Sequence, residues 1–316
     1  MSLLTDEPLG PRVTVRAPAK INLYLGVAAL AADGFHPLTT VFQAVGLYDD
    51  VTVSEATEWS LRVVGDPRLD LDAVPTDDSN IALRAARRLL AHHGMEHRAA
   101  AMTIHKSIPV AGGMAGGSAD AAAALVAVDR ALDLQTSDDD LLAIAAELGS
   151  DVPFSLLGGT AVGRGRGEQL EDLEDAGGWW WVVVESDEGL STPAVYRAFD
   201  ELHAQQGTEP DPHALELPTT LVEGLVNAQV DLVGVTLWND LQEPALHLRP
   251  DLRRTLEDAG SCGRGAVLSG SGPTVLVLCA SREEADAARE KLAGLGHERV
   301  TAVPAPVAGV HVVEHA

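Results

Sequence analysis

The sequence predicts a mixed α+β protein of two domains, and three features carry that expectation. Apolar residues alternate with polar ones in short runs near the start, as in Val13 and Val15 and again in Ile21, Leu23, Leu25 and Val27, which is the two-residue period of half-buried strands. After these strands come a helix, a strand, a glycine loop and two helices in succession, which lacks the regular strand–helix alternation of a doubly wound sheet. The chain then restarts with an apolar strand at Trp179, and this sets the expected division at 1–165 and 166–316.

The elements follow in order. Strands are predicted at Val13–Arg16, Ile21–Val27, Val51–Ser54, Leu61–Val64 and Ala101–His105. Asp77-Asp78-Ser79 opens an amphipathic helix over Ile81–His92, which Gly94 stops. A second helix runs from Ser118 to Leu132, and a third from Ser137 to near Gly149, its three leading aspartates suited to the positive end of a helix dipole. A hairpin is expected around Gly158–Gly167 and a strand at Trp179–Glu185. The Pro- and acid-rich stretch Gly207–Pro218 reads as a surface loop, with helical stretches after it. Ala266–Leu268, the turn Ser269-Gly270-Ser271-Gly272-Pro273 and Thr274–Cys279 read as strand, tight turn, strand. Ser281 and Glu284 form a capping box for a helix to about Leu292.

Composition excludes several classes of function. A chain of 316 residues with 46% hydrophobic content can bury an ordinary core. Its longest apolar stretches, Ala121–Val128 and Trp179–Val184, fall far short of the ~20 residues of a membrane-spanning helix. The opening MSLLTDEPLGP has neither a basic nor an apolar signal region, so a cytoplasmic location is expected. Cys262 and Cys279 have no neighbouring Cys or His at ligand spacing and read as reduced thiols; the histidines are scattered, and no structural metal is predicted. A net charge of −25 opposes binding to a nucleic-acid backbone. Any phosphate site must therefore be local.

The segment from Ile108 to Asp120 supplies one. Gly112, Gly113, Gly116 and Gly117 let backbone N–H groups converge on an anion, and the alanine-rich helix that follows adds free donors and a positive dipole end. Gly112 and Gly117 have the separation of a P-loop, but Ser118 stands where that motif requires lysine. The dinucleotide fingerprint fails too, because the helix leads to another helix and not to a strand ending in an acid. A third type of phosphate loop is required. Downstream, Asp151 follows Gly149-Ser150 and precedes Pro153, a carboxylate on a loop that is either a helix cap or a catalytic base.

This loop resembles the second motif of the GHMP kinases, P-x-x-x-G-L-G-S/G-S-S followed by a helix. Ala17-Pro18-Ala19-Lys20-Ile21-Asn22-Leu23 is similar to their first motif and Leu268-Ser269-Gly270-Ser271-Gly272-Pro273-Thr274 to their third, in the same order and over nearly the whole chain. Within that superfamily, Lys20 with Asn22, Asp33-Gly34-Phe35-His36 and Gly149-Ser150-Asp151-Val152-Pro153-Phe154 resemble the flanking pattern of the diphosphocytidyl-methylerythritol kinases. Ala119 departs from the pattern where a second serine is common, and Phe35 where tyrosine is common.

The resemblance implies an S5-like N-terminal domain, a ferredoxin-like C-terminal domain and an active site in the cleft between them. ATP is implied as phosphoryl donor, with Mg2+ arriving as MgATP, and a small cytidyl diphosphate as acceptor. Pro109, Val110, Ala111, Gly112, Gly113, Met114, Ala115, Gly116, Gly117, Ser118 and Ala119 are the expected phosphate loop, with Asn80 and Lys106 as further ATP contacts. Asp151 is expected to accept the proton of the acceptor hydroxyl and Lys20 to supply positive charge. Asn22 should share a strand face with Lys20. Phe35 and Tyr196 are expected to sandwich the cytosine and His36 to bond its edge, while Asp120 is expected to support the helix start. A mevalonate or homoserine kinase, or a nucleotide-binding regulator on the same fold, are the alternatives.

Overall fold

The computed structural model describes residues 10–315, so most of the N-terminal run read for a targeting signal lies outside the described residues. The chain begins with two long strands, β1 (Val13–Val27) and β2 (Leu38–Ala56), then β3 (Ser60–Gly65), α1 (Ile81–His92), β4 (Ala99–Lys106), α2 (Gly116–Ala131), α3 (Asp138–Leu148) and the short α4 (Val152–Leu157). A hairpin of β5 (Thr160–Gly165) and β6 (Gln169–Asp172) leads to β7 (Trp179–Val184). Helices α5 (Thr192–Gln206), α6 (Thr219–Val226) and α7 (Val230–Thr236) follow, then β8 (Trp238–Asn239), α8 (Gln242–Leu248) and α9 (Leu252–Gly260). The chain closes with β9 (Gly265–Leu268), β10 (Val275–Cys279), α10 (Arg282–Gly294), β11 (Val300–Ala305) and β12 (His311–His315). No helix among the described residues is long and apolar enough to cross a membrane.

Where the sequence shows two strands on either side of Pro18, the structure has one continuous β1. Proline removes a ladder donor, and β1 accommodates it with a register shift between Pro18 and Ala19, followed by a second between Asn22 and Tyr24. Such bulges re-aim side chains beside a functional site, and these two bracket Lys20 and Asn22.

The strands form two sheets. In the first the order is β12-β1-β2-β4-β3, with β5 on the other half of β2, β6 beyond it, and β8 parallel to β1. The second is antiparallel, β11-β7-β10-β9. Pro304 lies in β11, an edge strand, where a missing N–H is tolerated. The expected division at 165/166 cuts the β5–β6 hairpin, whose second strand stays on the first sheet, and β12 returns to that sheet from the far end of the chain. The turn of the hairpin lies at 166–168, at the end of the predicted span.

The largest apolar cluster joins the two halves. Leu23, Val45, Ala123 and Leu125 of the first sheet and its helices pack in one cluster with Trp181, Val183 and Leu276 of the second. Across this seam the Trp181 indole N–H donates to Gln43 Oε1 at 2.7 Å, and Gln43 Nε2 donates to Asp175 at 2.7 Å. The caps follow the predicted chemistry with small shifts of residue. Asn80, not Asp77–Ser79, caps α1, its Oδ1 accepting from the N–H of Ala82 at 2.9 Å. Ser137 caps α3 and Ser281 caps α10. Glu284 reaches back to the N–H of Ala280, one residue before the bond of a strict capping box. Helix α2 starts at Gly116, two residues before the predicted start.

Candidate active site

A large cleft, about 1160 Å³, runs between the two sheets and their helices. Along it lie most residues singled out by sequence: Lys20, Asn22, Phe35, His36, Asn80, Lys106, Asp151, Tyr196 and the glycine loop. Met114, Ser118 and Ala119 are exceptions. Met114 and Ala119 are fully buried in the core, and Ser118 does not line the cleft.

The four glycines of the loop divide by function. A Cβ on Gly113, where φ is +76°, would sit 2.2 Å from the Ser269 carbonyl oxygen, and one on Gly112 would sit 2.7 Å from Pro109. These two let the loop pack against itself and the Ser269–Thr274 turn, which also holds it by the bond from Ser269 Oγ to the Gly113 carbonyl at 3.0 Å. Gly117 faces open space except for Ile81 at 3.6 Å, and Gly116 meets only two side chains, Ile108 and Lys106, at 3.1 Å. They begin α2, so the free N–H groups of its first turn point into a space that no Cβ obstructs. Ala115, the residue before the helix, has φ +57°, a left-handed conformation that glycine would adopt without cost.

Beneath the loop lies a buried ionic cluster. Lys106, expected as a contact of ATP, is 2% exposed. Its ammonium is held by Asp49 and, at 2.7 Å, by Asp120. Asp49 also accepts from the N–H of Ser107 at 2.6 Å and of Ile108 at 2.9 Å, so one carboxylate fixes the three residues that lead into the loop. Asp120 has a single donor, and its Oδ1 is buried without a hydrogen-bond partner. Burial and the neighbouring Asp49 raise the Asp120 carboxyl well above its usual range against the pull of Lys106. Burial lowers the Lys106 ammonium, but the two carboxylates outweigh it and the net shift is upward. Asp120, expected to support the start of α2, is tied there to Lys106. Asn80 is similarly engaged, its Nδ2 donating to the Pro75 carbonyl at 2.7 Å.

At the other side of the loop, Lys20 and Asp151 meet. Lys20 Nζ lies 3.6 Å from Asp151 Oδ2 and donates to Asn22 Oδ1 at 2.8 Å. Asn22 Nδ2 donates onward to Thr40 Oγ1 at 2.7 Å, whose hydroxyl donates to the Tyr24 carbonyl at 2.6 Å. This chain of donors fixes the Asn22 amide and through it the ammonium. Asp151 occupies the cap position of α4, but its side chain accepts no N–H from that helix. Of the two readings of this carboxylate, the cap is not formed.

Phe35 and Tyr196, the pair expected around the cytosine, both line the cleft. Tyr196 stacks on His36, with ring centroids 5.2 Å apart. Burial, with Asp151 contributing, pushes the Tyr196 phenol up to about 12. His36 Nδ1 lies 2.8 Å from the Ala28 carbonyl and Nε2 3.4 Å from Asp200, so its side chain is already partnered on both edges. Phe35 is half exposed, with the Arg166 guanidinium 4.6 Å from its ring centroid. Thr40, Arg166, Arg197 and Asp200 carry no motif that marks them, and only the topology brings them to the cleft; Asp49, equally unmarked, reaches the site only through Lys106.

Two family models match the chain, the GHMP kinases N terminal domain over residues 80–159 and the GHMP kinases C terminal domain over 223–298. A 4-diphosphocytidyl-2-C-methyl-D-erythritol kinase of Nocardioides sp. is 55% identical over 304 residues, covering 96% of this chain and 100% of the relative. One from Mycolicibacterium smegmatis is 47% identical, covering 95% and 92%. A crystal structure of 4-(cytidine 5'-diphospho)-2C-methyl-D-erythritol kinase superposes with a TM-score of 0.74 at 32% identity, covering 93% of this chain and 100% of that one. A mevalonate kinase of L. major superposes with a TM-score of 0.73 at 15% identity, covering 96% and 100%, a likeness of fold alone. The motifs, the two-sheet architecture and these full-length relatives agree: the chain belongs to the GHMP kinases, and among them to the 4-diphosphocytidyl-2-C-methyl-D-erythritol kinase family.

Proposed function

We propose that this chain transfers the γ-phosphoryl group of ATP to the 2-hydroxyl of 4-diphosphocytidyl-2-C-methyl-D-erythritol, a step of non-mevalonate isoprenoid precursor synthesis. The observation that carries the reading is the 55% identity to a kinase of that name over 96% of the chain. The close approach of Lys20 and Asp151 beside the glycine loop supports it.

Phosphoryl transfer asks a protein to position donor and acceptor in line and to stabilise charge on the moving group. The N–H groups around Gly116 and Gly117 suit the ATP phosphates, and Lys106 and Asn80 serve chiefly to hold the loop and the first turn of α1 in place. Asp151 is the candidate base. Its carboxylate is about one-third exposed and free of capping bonds. It takes the proton of the acceptor hydroxyl as the new O–P bond forms and the bond from phosphorus to the ADP oxygen breaks. The Lys20 ammonium, aimed by Asn22, stabilises the negative charge that develops. Among the described residues no three His, Cys, Asp or Glu side chains converge as a metal site. Magnesium is assigned to the MgATP complex, where phosphate oxygens are its natural ligands.

Tyr196, Phe35, His36 and Asn22 are the candidate acceptor contacts. Because both ring nitrogens of His36 are engaged, its backbone is the better partner for the cytosine edge. A cytoplasmic location, where ATP is abundant, is part of this proposal. ADP release, measured with this acceptor beside mevalonate and homoserine, tests it. Turnover confined to the cytidyl substrate is expected, and preference for either other alcohol would overturn the assignment.

A further inference from the structure

Four cationic side chains line the cleft, and they fall into two kinds. Lys20 and Lys106 are matched by Asp151, Asp49 and Asp120. Arg166 and Arg197 form no ion pair among the described residues, although most arginines of this chain do, as Arg16, Arg249 and Arg264 illustrate. In a protein of net charge −25, two unmatched guanidiniums in one cleft mark a place where negative charge is to arrive.

Their positions narrow the ligand. Arg166 sits at the tip of the β5–β6 hairpin between Gly165 and Gly167, both at positive φ, so the turn is set by its backbone and presents the side chain over Phe35. Arg197 follows Tyr196 on α5 and is exposed. Both side chains line the cleft, Arg166 over the Phe35 ring and Arg197 one residue after Tyr196 on α5. Neither guanidinium pairs with the nearby carboxylates: Glu168 accepts the backbone N–H of Arg166 at 2.7 Å, and Asp200 lies 3.4 Å from His36 Nε2.

We propose that Arg166 and Arg197 are specificity-determining residues that grip the diphosphate joining the acceptor's base to its reacting alcohol. The inference rests on the substrate reading above. A guanidinium offers a planar fork that matches two phosphate oxygens at once, and it does so best where no carboxylate competes. Held there, the diphosphate fixes the distance from the base to the hydroxyl beside Lys20 and Asp151, so that binding energy far from the reacting atoms orients them.

The test compares cytidine with cytidine 5'-diphosphate as ligands of the full chain, with ADP saturating the donor site, in the wild type, Arg166→Gln and Arg197→Gln. The wild type should bind the diphosphate at least about tenfold tighter than the nucleoside. Each substitution should remove about tenfold of that preference, the scale of one charge-assisted phosphate contact, while cytidine affinity and the KM for ATP stay unchanged. A preference that survives both substitutions overturns the assignment. Equal loss of both ligands also overturns it, since the arginines would then serve the base pocket alone. If neither ligand binds the wild type, the substrate reading fails and the assignment falls with it.

Discussion

Replacing Lys106 by methionine tests whether the buried cluster supports the phosphate loop. The ammonium lies 2.7 Å from Asp120 and still closer to Asp49, and all three side chains are under 5% exposed. At an effective dielectric of ~20 each contact is worth roughly 6 kcal/mol of Coulomb energy, against a desolvation cost of several kcal/mol per ion. The pair sum matters less than what remains when the cation is removed. Two carboxylates would be buried together, Asp49 keeping its two backbone donors and Asp120 keeping none. Breaking a buried ion pair on one side costs about 3–5 kcal/mol, and that is the loss expected for Lys106→Met in urea unfolding followed by tryptophan fluorescence. Adding Asp120→Asn should restore part of it by removing one of the two stranded charges. The single variant Asp120→Asn carries a pH signature. The folded state holds the Asp120 proton more tightly than the unfolded chain, so its contribution is full below the ordinary aspartate range and is lost as pH rises through the raised folded value. The variant should therefore gain on the wild type with increasing pH. A loss under about 1 kcal/mol in Lys106→Met, the scale of a surface pair, would refute the reasoning.

Three further outcomes are expected. Asp151→Asn should lower kcat on the order of 10²-fold or more while ATP affinity measured by titration is kept; undiminished turnover removes Asp151 from the mechanism. Ala115→Gly should stabilise the chain by up to about 1 kcal/mol, because φ at this residue is +57°; a destabilisation of that size in thermal unfolding would mean that the residue is not left-handed. Tyr196→Ala should weaken acceptor binding by about 1–3 kcal/mol and Tyr196→Phe hardly at all, because the buried phenol, pushed up to about 12, stays neutral at working pH and offers its ring face. A large loss in Tyr196→Phe would assign the binding to the hydroxyl.

Legibility in the sequence followed periodicity and punctuation. Helix α1 is readable because its buried face repeats at helical spacing, with Asn80 before it and Gly94 after it. The part of β2 before Val51 is not, because Thr40, Gln43 and Asp49 are polar and yet fully buried, their partners supplied by residues distant in sequence. β12 carries no apolar alternation because every residue in it is exposed, and Pro304 hides β11. The site shows the same split. The glycine loop and the Lys20–Asn22 pair are local patterns, whereas the clasp on Lys106 joins β2, β4 and α2 and leaves no trace in any one segment.

The acidity of the chain and its role as a binder of two anionic substrates are reconciled by how the cleft distributes charge. On the donor side the lysines are already matched by carboxylates, so the attraction for ATP phosphates comes from backbone N–H groups at the start of α2, which carry partial charge and need no counter-ion. Matched lysines gain from this arrangement in a different way: Asn22 and Asp49 fix where their ammonium groups stand before any ligand arrives, and pre-set dipoles and charges stabilise a transition state without reorganising. On the acceptor side, under the proposal above, full unmatched charges at Arg166 and Arg197 take the diphosphate. Net charge therefore says little about which anions this protein holds. What decides is where, within one cleft, the carboxylates have already been used.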